Sequence, residues 1–288
     1  VAAVTVLGTP YRLGSTSYVW PADILPNVRC LRSLVDDVEL VLFEVDEYSN
    51  LPDAGAVAEL AALARAHGLT YSVHLPLDLT LGDPVSLEKV RKVIAGTRNL
   101  FPCAYVLHLD GKTVEGNPDS TVLSRWRDDA RRVLEEVAAM VGDARRLCVE
   151  NLENYPPESF LPLLEQMPVS LCVDVGHLWL TRRDPVPFLA QYLDRTRVVH
   201  LHGIGERDHQ SLLYQGAERV APVLELLSAR HYDGVLTLEV FSREAFFPSR
   251  ALVAKMAGDI RTTATASGPG SPQTQPDPAW TPGQAPQV

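Results

Sequence analysis

Residues 147–202, LCVENLENYPPESFLPLLEQMPVSLCVDVGHLWLTRRDPVPFLAQYLDRTRVVHLH, hold three short apolar runs of β character. Leu147–Asn151 carries Glu150 near its end, Ser170–Asp174 closes on Asp174, and Val198–His202 contains His200 and His202. The stretches between them are long enough to return the chain across a sheet, the spacing that parallel strands require. Working outward, the same run recurs at Tyr11–Ser17, Val38–Glu44, Thr70–Leu75, Ala104–Leu109 and Val235–Val240. Helical stretches alternate with them: Ala54–His67 stops at Gly68, Asp119–Met140 stops near Gly142, and Ala217–His231 stops at Asp233-Gly234, each glycine reading as a cap. Eight strand-helix units in about 250 residues predict an α/β fold, a (β/α)8 TIM barrel over residues 1–263. An open doubly wound sheet is the alternative, and no GxGxxG follows the first strand to support it.

Composition agrees with one large buried core: 46% of the 288 residues are hydrophobic and 22% charged. Residues 264–288, rich in Gly, Pro, Ser and Gln, hold too little apolar surface to offset the entropy of ordering and read as a disordered tail. A net charge of -10 disfavours a phosphate backbone as partner, so no nucleic acid is expected. No apolar run approaches the roughly 18 residues of a membrane span, and the start lacks a basic-then-apolar signal layout, so the expectation is a cytoplasmic protein without a membrane partner. Four cysteines without a CxxC pair ask for neither a disulfide nor a thiolate zinc site.

In a barrel of this kind chemistry sits at the C-terminal ends of the strands. Those ends are one-sided here: His74 in YSVHL, His108 in YVLHL, Glu150 in LCVEN, Asp174 in LCVDV, His200 and His202 in VVHLH, Glu239 in LTLEV. Alternation along a strand puts Ser72, Val106, Cys148, Cys172, Val198 and Thr237 on the same inward face, all small enough for a barrel interior. His177 and His209 follow just past strand ends, while His67 and His231 fall at helix C-termini, where an imidazole complements the dipole. Imidazoles and carboxylates buried together without a cation would carry a severe desolvation penalty, and divalent ions satisfy both. Neutral imidazole with carboxylate suits Zn, Mn or Fe, and this many ligands predicts two or three ions per chain. Such a cluster favours phosphoester hydrolysis, with ions acidifying water and neutralising phosphoryl oxygens, and Glu150, Asp174 and Glu239 are the expected catalytic carboxylates.

On these residues the chain resembles the xylose-isomerase-like barrels, the superfamily of endonuclease IV and of sugar isomerases and epimerases, over about residues 11–262. The resemblance implies a metal set of His74, His108, Glu150, Asp174, His177, His200, His209 and Glu239. One position departs from the nuclease pattern: Arg207 stands two residues before His209 where an Asp is usual, with Asp208 adjacent. The segments GSTSYVWPADILPNVRCL, VDDVELVLFE and HLHGIGERDHQSL further resemble cobamide-remodelling phosphodiesterases of the CbiR type. That resemblance implies cleavage of the nucleotide-loop phosphodiester of a corrinoid, giving cobinamide phosphate and an α-riboside.

Aromatic residues expected in loops, Tyr18, Trp20, Tyr155, Trp179, Phe246 and Phe247, offer a platform for a corrin ring, with Glu44 and His202 as further substrate contacts. Two rival activities share the fold. A sugar isomerase or epimerase needs only Glu150, Asp174, His200 and Glu239 around one ion, which leaves four histidines without a role. An abasic-site nuclease uses the full ligand set, against which the acidic balance counts.

Overall fold

The computed structural model describes residues 5–45, 48–77, 79–116 and 118–266 of the chain. Eight parallel strands close into a barrel in the order β1 (Arg12–Thr16), β2 (Asp37–Val41), β5 (Thr70–His74), β6 (Ala104–Leu107), β7 (Leu147–Glu150), β8 (Ser170–Asp174), β9 (Thr196–Leu201) and β10 (Val235–Leu238), with β10 returning to β1. Between β2 and β5 a small antiparallel pair, β3 (Glu44–Val45) and β4 (Tyr48–Ser49), stands on the C-terminal side of the barrel wall. Closure between first and last strands depends on Gly14, where a Cβ would sit 2.9 Å from Val235 and 3.0 Å from the Thr237 hydroxyl.

The helices begin where aspartates satisfy free N–H groups. Asp53 accepts from Ala56 ahead of Ala54–His67, Asp83 accepts from Val85 and Ser86 ahead of Pro84–Thr97, and Asp119 accepts from Thr121 and Val122 ahead of Ser120–Val141. Gly68 at φ 68° and Gly142 at φ 86° take the positive dihedrals that end two of them. The last helix runs from Arg243 to Ala266, so the expected boundary at residue 263 moves by one turn. The rest of the expected tail, 267–288, lies outside the described residues.

Two apolar layers hold the barrel. Val73, Leu107, Val149, Val173, Leu201 and Leu238 point outward into the large strand-to-helix core, while Ala104, Val106, Cys148, Cys172 and Val198 fill a separate cluster inside. That split is the expected alternation, and it leaves the strand-end residues above the inner cluster as the only direction for the inward face to continue.

Two expectations need correction. Val38–Glu44 is not one strand: β2 stops at Val41 because the Asn50 side chain takes over the ladder, donating to the Val41 carbonyl at 2.9 Å and accepting from the Phe43 N–H at 2.7 Å. The helix from Ala217 ends at Ala229, not His231, and Gly234 is no cap. His231 makes the left-handed turn at φ 49°, while a Cβ on Gly234 would meet the Tyr232 hydroxyl at 2.2 Å and the Arg197 carbonyl at 2.5 Å.

Candidate metal centre

The side chains gathered at the C-terminal mouth come from the ends of β5, β7, β8 and β9 (His74, Glu150, Asp174, His200), from the residues just past β6, β9 and β10 (His108, His202, Glu239), from the helix Val175–Leu180 (His177) and from the loop that carries His209. Glu150 stands at the centre. Its Oε2 is 3.3 Å from His74 Nε2 and 3.1 Å from His108 Nε2, and its Oε1 is 3.5 Å from His200 Nδ1 and 3.7 Å from His177 Nδ1. Glu239 Oε2 approaches His200 Nδ1 at 3.1 Å and His209 Nδ1 at 3.5 Å, and Asp174 Oδ2 approaches His177 Nδ1 at 3.5 Å. Ligand atoms within 4.8 Å of one another form three main groups: His74, His108 and Glu150; Glu150, Asp174, His200 and Glu239; and His177, His202 and His209. All eight residues of the expected metal set are therefore brought together. Cys172, an interior strand residue, also falls within reach of Glu150 and His200, and burial holds its thiol well above its usual pKa.

Backbone carbonyls fix several of the rings. A carbonyl oxygen only accepts, so His74 Nδ1–H donates to Leu75 O at 2.8 Å, His177 Nδ1–H to Asn151 O at 3.0 Å and His209 Nδ1–H to Glu239 O at 3.2 Å. In each case Nδ1 carries the ring proton, so Nε2 is the nitrogen whose lone pair a cation would take, displacing the proton that His74 and His177 share with facing carboxylates in the metal-free protein. His200 is fixed differently: its Nε2 lies 3.0 Å from Glu39 Oε2, both side chains fully buried, which turns Nδ1 toward Glu150 and Glu239.

The same atoms are left unsatisfied. Glu150 Oε1, Glu239 Oε2 and His200 Nδ1 are buried with no hydrogen-bonding partner among the described residues, although they face each other. Orphaned groups of this kind are costly inside a protein, and a divalent ion placed among them relieves all three. Without a cation the groups perturb one another strongly. Burial alone would push His74 and His177 down, but the surrounding carboxylates, Glu150 foremost for His74 and Asp174 foremost for His177, raise each to about 9. Burial alone would hold Glu150 up, yet His108 and His200 drive it well below the usual carboxylate range. The donors and the orphaned atoms fit divalent transition ions.

A cavity of about 310 Å³ opens over these candidate ligands. Its walls add Val41, Leu77, Leu152 and Phe241 as apolar surface, with Glu153, Asn154 and Asp208, and no Lys or Arg among the described residues. Asp208 Oδ2 is 3.7 Å from His209 Nε2, so it takes part in the mouth where Arg207 is exposed outside it. A larger cavity of about 770 Å³ lies at the opposite, N-terminal end of the barrel, among Arg12, Arg195, Arg197 and Arg230, and is lined by none of the candidate ligands.

The residues expected to touch substrate scatter. Trp179 is buried on the helix Val175–Leu180 with the Arg219 guanidinium 5.1 Å above its ring, and Tyr155 and Phe246 are core residues, so none of the three is a loop platform. Glu44 pairs with Lys92 at 2.8 Å on the outer side of the β3–β4 pair. Tyr18 accepts from the Asn50 amide at 2.8 Å, and Trp20 packs edge-on against Phe247, both beside the mouth without lining its cavity. His202 is fully buried between Asp174 and the His209 loop. Sequence reasoning passed over Glu39 and Phe241. Glu39 was legible as an acid alternating with Val38 and Leu40 in an apolar run; Phe241, 5.3 Å from the His209 ring, carries no such signal.

Comparison with known proteins rests on the fold. No curated protein matches the sequence. Among solved structures, a D-tagatose 3-epimerase-like protein is 20% identical with a TM-score of 0.70, covering 88% of this chain and 99% of its own. The 3-keto-D-glucoside 4-epimerase YcjR from E. coli is 18% identical with a TM-score of 0.60, covering 88% and 99%. The TTHB071 protein from Thermus thermophilus, soaked with ZnCl2, is 22% identical with a TM-score of 0.59, covering 87% and 98%. At these identities the likeness is one of architecture. The model of the xylose isomerase-like TIM barrel family matches residues 34–262, most of the chain, and the protein belongs to that family.

Proposed function

We propose that the protein is a metal-dependent phosphodiesterase whose mouth holds two or three divalent ions. The observation that carries this reading is Glu150, which meets His74 and His108 through one oxygen and faces His200 and His177 through the other, so that one carboxylate serves two ligand groups. When bound, such ions supply Lewis-acid stabilisation of a phosphoryl group and acidify water. The chain's own part is placement. Glu150, Asp174 and Glu239 set the negative charge that retains cations, His108 and His209 are the more exposed of the proposed ligands and border the incoming ester, and Val41, Leu77, Leu152 and Phe241 give an apolar wall beside them. No Lys or Arg among the described residues lines the cavity, so charge neutralisation of the substrate falls to the bound ions. The substrate follows from resemblance: the nucleotide-loop phosphodiester of a corrinoid, with the corrin resting over the mouth near Tyr18 and Trp20.

A second reading is a sugar epimerase or isomerase with one ion at Glu150, Asp174, His200 and Glu239. The solved structures of similar fold favour it over the first, since epimerases stand among them, and a wall with no Lys or Arg among the described residues suits an uncharged sugar. It leaves the His74–His108 group unused. The two separate in one experiment, in which protein loaded with zinc or manganese is given an adenosylated cobamide and, side by side, a ketohexose. Cobinamide phosphate detected by mass, with the sugar unchanged, is the expected result. Epimerised sugar with intact cobamide would replace the first reading by the second.

A further inference from the structure

His202 is held at both ring nitrogens, and the holding partners determine what it can do. Its Nδ1 lies 3.0 Å from the backbone nitrogen of His209, and its Nε2 lies 3.2 and 3.3 Å from the two oxygens of Asp174. A peptide N–H can only donate, so Nδ1 is the bare nitrogen, and the ring proton sits on Nε2 and is given to Asp174. The Gly203 carbonyl, 3.3 Å from Nδ1, then receives no proton from the ring. Both nitrogens are committed, which leaves no lone pair for an ion even though the ring lies in the group with His177 and His209.

We infer that His202 is a positioning residue, a pin joining the Asp174 carboxylate to the loop that carries His209. Three further features are shaped around it. Gly176, at the start of the helix after β8, has no room for a side chain, since a Cβ would stand 2.1 Å from His202 Cε1. His209 itself holds a left-handed backbone at φ 51°, a conformation that a non-glycine residue keeps only when its surroundings impose it. The loop is clamped at its base by paired bonds between Gly203 and Gln210, at 2.7 and 2.9 Å. Asp174 and His209 lie on opposite sides of the ring, and the pin sets their separation.

The inference rests on the multi-ion reading for its expected size, and metal binding tests it without any substrate. Zinc-loaded wild type is compared with His202→Phe and Gly176→Ala by elemental analysis and by competition with a chelating dye, with circular dichroism as the check on folding. His202→Phe should keep its barrel spectrum, lose about one zinc per chain, and bind the affected zinc about 10–100-fold more weakly, the range for residues that orient ligands. Gly176→Ala, which displaces the ring without removing it, should move in the same direction and serves if the Phe variant does not fold. With cobalt in place of zinc, His202→Asn should show the wild-type band positions at lower occupancy. Undiminished zinc affinity in His202→Phe would overturn the inference by making the ring mere packing, and shifted cobalt bands in His202→Asn would overturn it by making the ring a ligand. A wild type that binds a single zinc defeats the multi-ion reading alone, and the His202 comparison is then read on that ion, which Asp174 still serves.

Discussion

Asp37 and Glu150 are both fully buried carboxylates on inward-facing strand positions, one near the base of the barrel and one at its mouth. Asp37 is satisfied: Thr70 donates to Oδ1 and Ser72 to Oδ2, each at 2.6 Å, with the Cys103 thiol at 3.6 Å. Its pKa is raised by burial, offset in part by those hydroxyls, and its bonds are closed within the protein. Glu150 has four imidazoles around it, an oxygen without a hydrogen bond among the described residues, and a pKa driven well down by His108 and His200 against the pull of burial. Burial alone therefore does not mark a functional carboxylate. What separates the two is whether neighbouring groups complete the hydrogen bonds or leave them open to a cation.

The contrast is most sharply broken by substitution at the mouth. Glu150→Gln and His108→Ala should each abolish turnover, Glu150→Gln also stripping bound ions, while circular dichroism stays that of a folded barrel. An active, metal-replete Glu150→Gln protein would remove Glu150 from the centre. At the base the opposite pattern is expected: Asp37→Ala leaves the Ser72 hydroxyl without its partner and Thr70 with only the Asp36 carbonyl at 3.3 Å, and should cost about 1–3 kcal/mol of stability, with metal content unchanged. Loss of metal in that variant would mean that the two ends are not independent.

Glu39 sharpens the comparison, because it is as buried as Asp37 yet one of its oxygens contacts His200, a candidate ligand. Glu39→Gln should weaken metal binding by about 10–100-fold, measured by chelator competition, with a smaller effect on stability than Asp37→Ala.

Protonation gives the smallest effect. In metal-free protein His74 and His177 have folded-state pKa values raised to about 9 from the usual 6.5. A raised histidine adds stability that is full below about pH 6.5 and is lost as pH climbs through about 9. The melting temperature of the metal-free protein should accordingly fall by a few degrees between pH 6.5 and 9.5. Loading with zinc should release protons to the buffer near neutrality, since the ions displace them. A metal-free melting temperature that rises over that range would contradict the assignment.

The barrel was legible because strand-end polarity and inward-face alternation are local patterns: His74, Glu150 and Asp174 stand out in apolar runs, and Val106, Cys148 and Cys172 beneath them have the sizes an interior needs. The histidines and carboxylates gathered at the mouth were legible as strand-end residues for the same reason, while their grouping as one metal set came from the family resemblance. The surroundings of the mouth were not. Trp179 looks like a loop aromatic in sequence, but the helix that begins after Asp174 turns it into the core. Glu44 seemed to end a strand that Asn50 in fact terminates three residues earlier, at Val41. His202 follows directly on β9, which carries His200, yet its surroundings depend on a loop bond to His209 seven residues on, which no periodicity encodes. Long-range contacts of this kind are set by tertiary packing, where sequence spacing carries little information.

The central claim is that Glu150 joins two ligand groups into one multi-ion centre, and the number of ions per chain measures it most directly. Protein loaded with excess zinc, desalted and assayed by elemental analysis against a quantitative amino-acid standard should carry two or three zinc ions, falling by at least one in His108→Ala. One zinc in both proteins would contradict the claim and leave the centre as the single-ion quartet of Glu150, Asp174, His200 and Glu239.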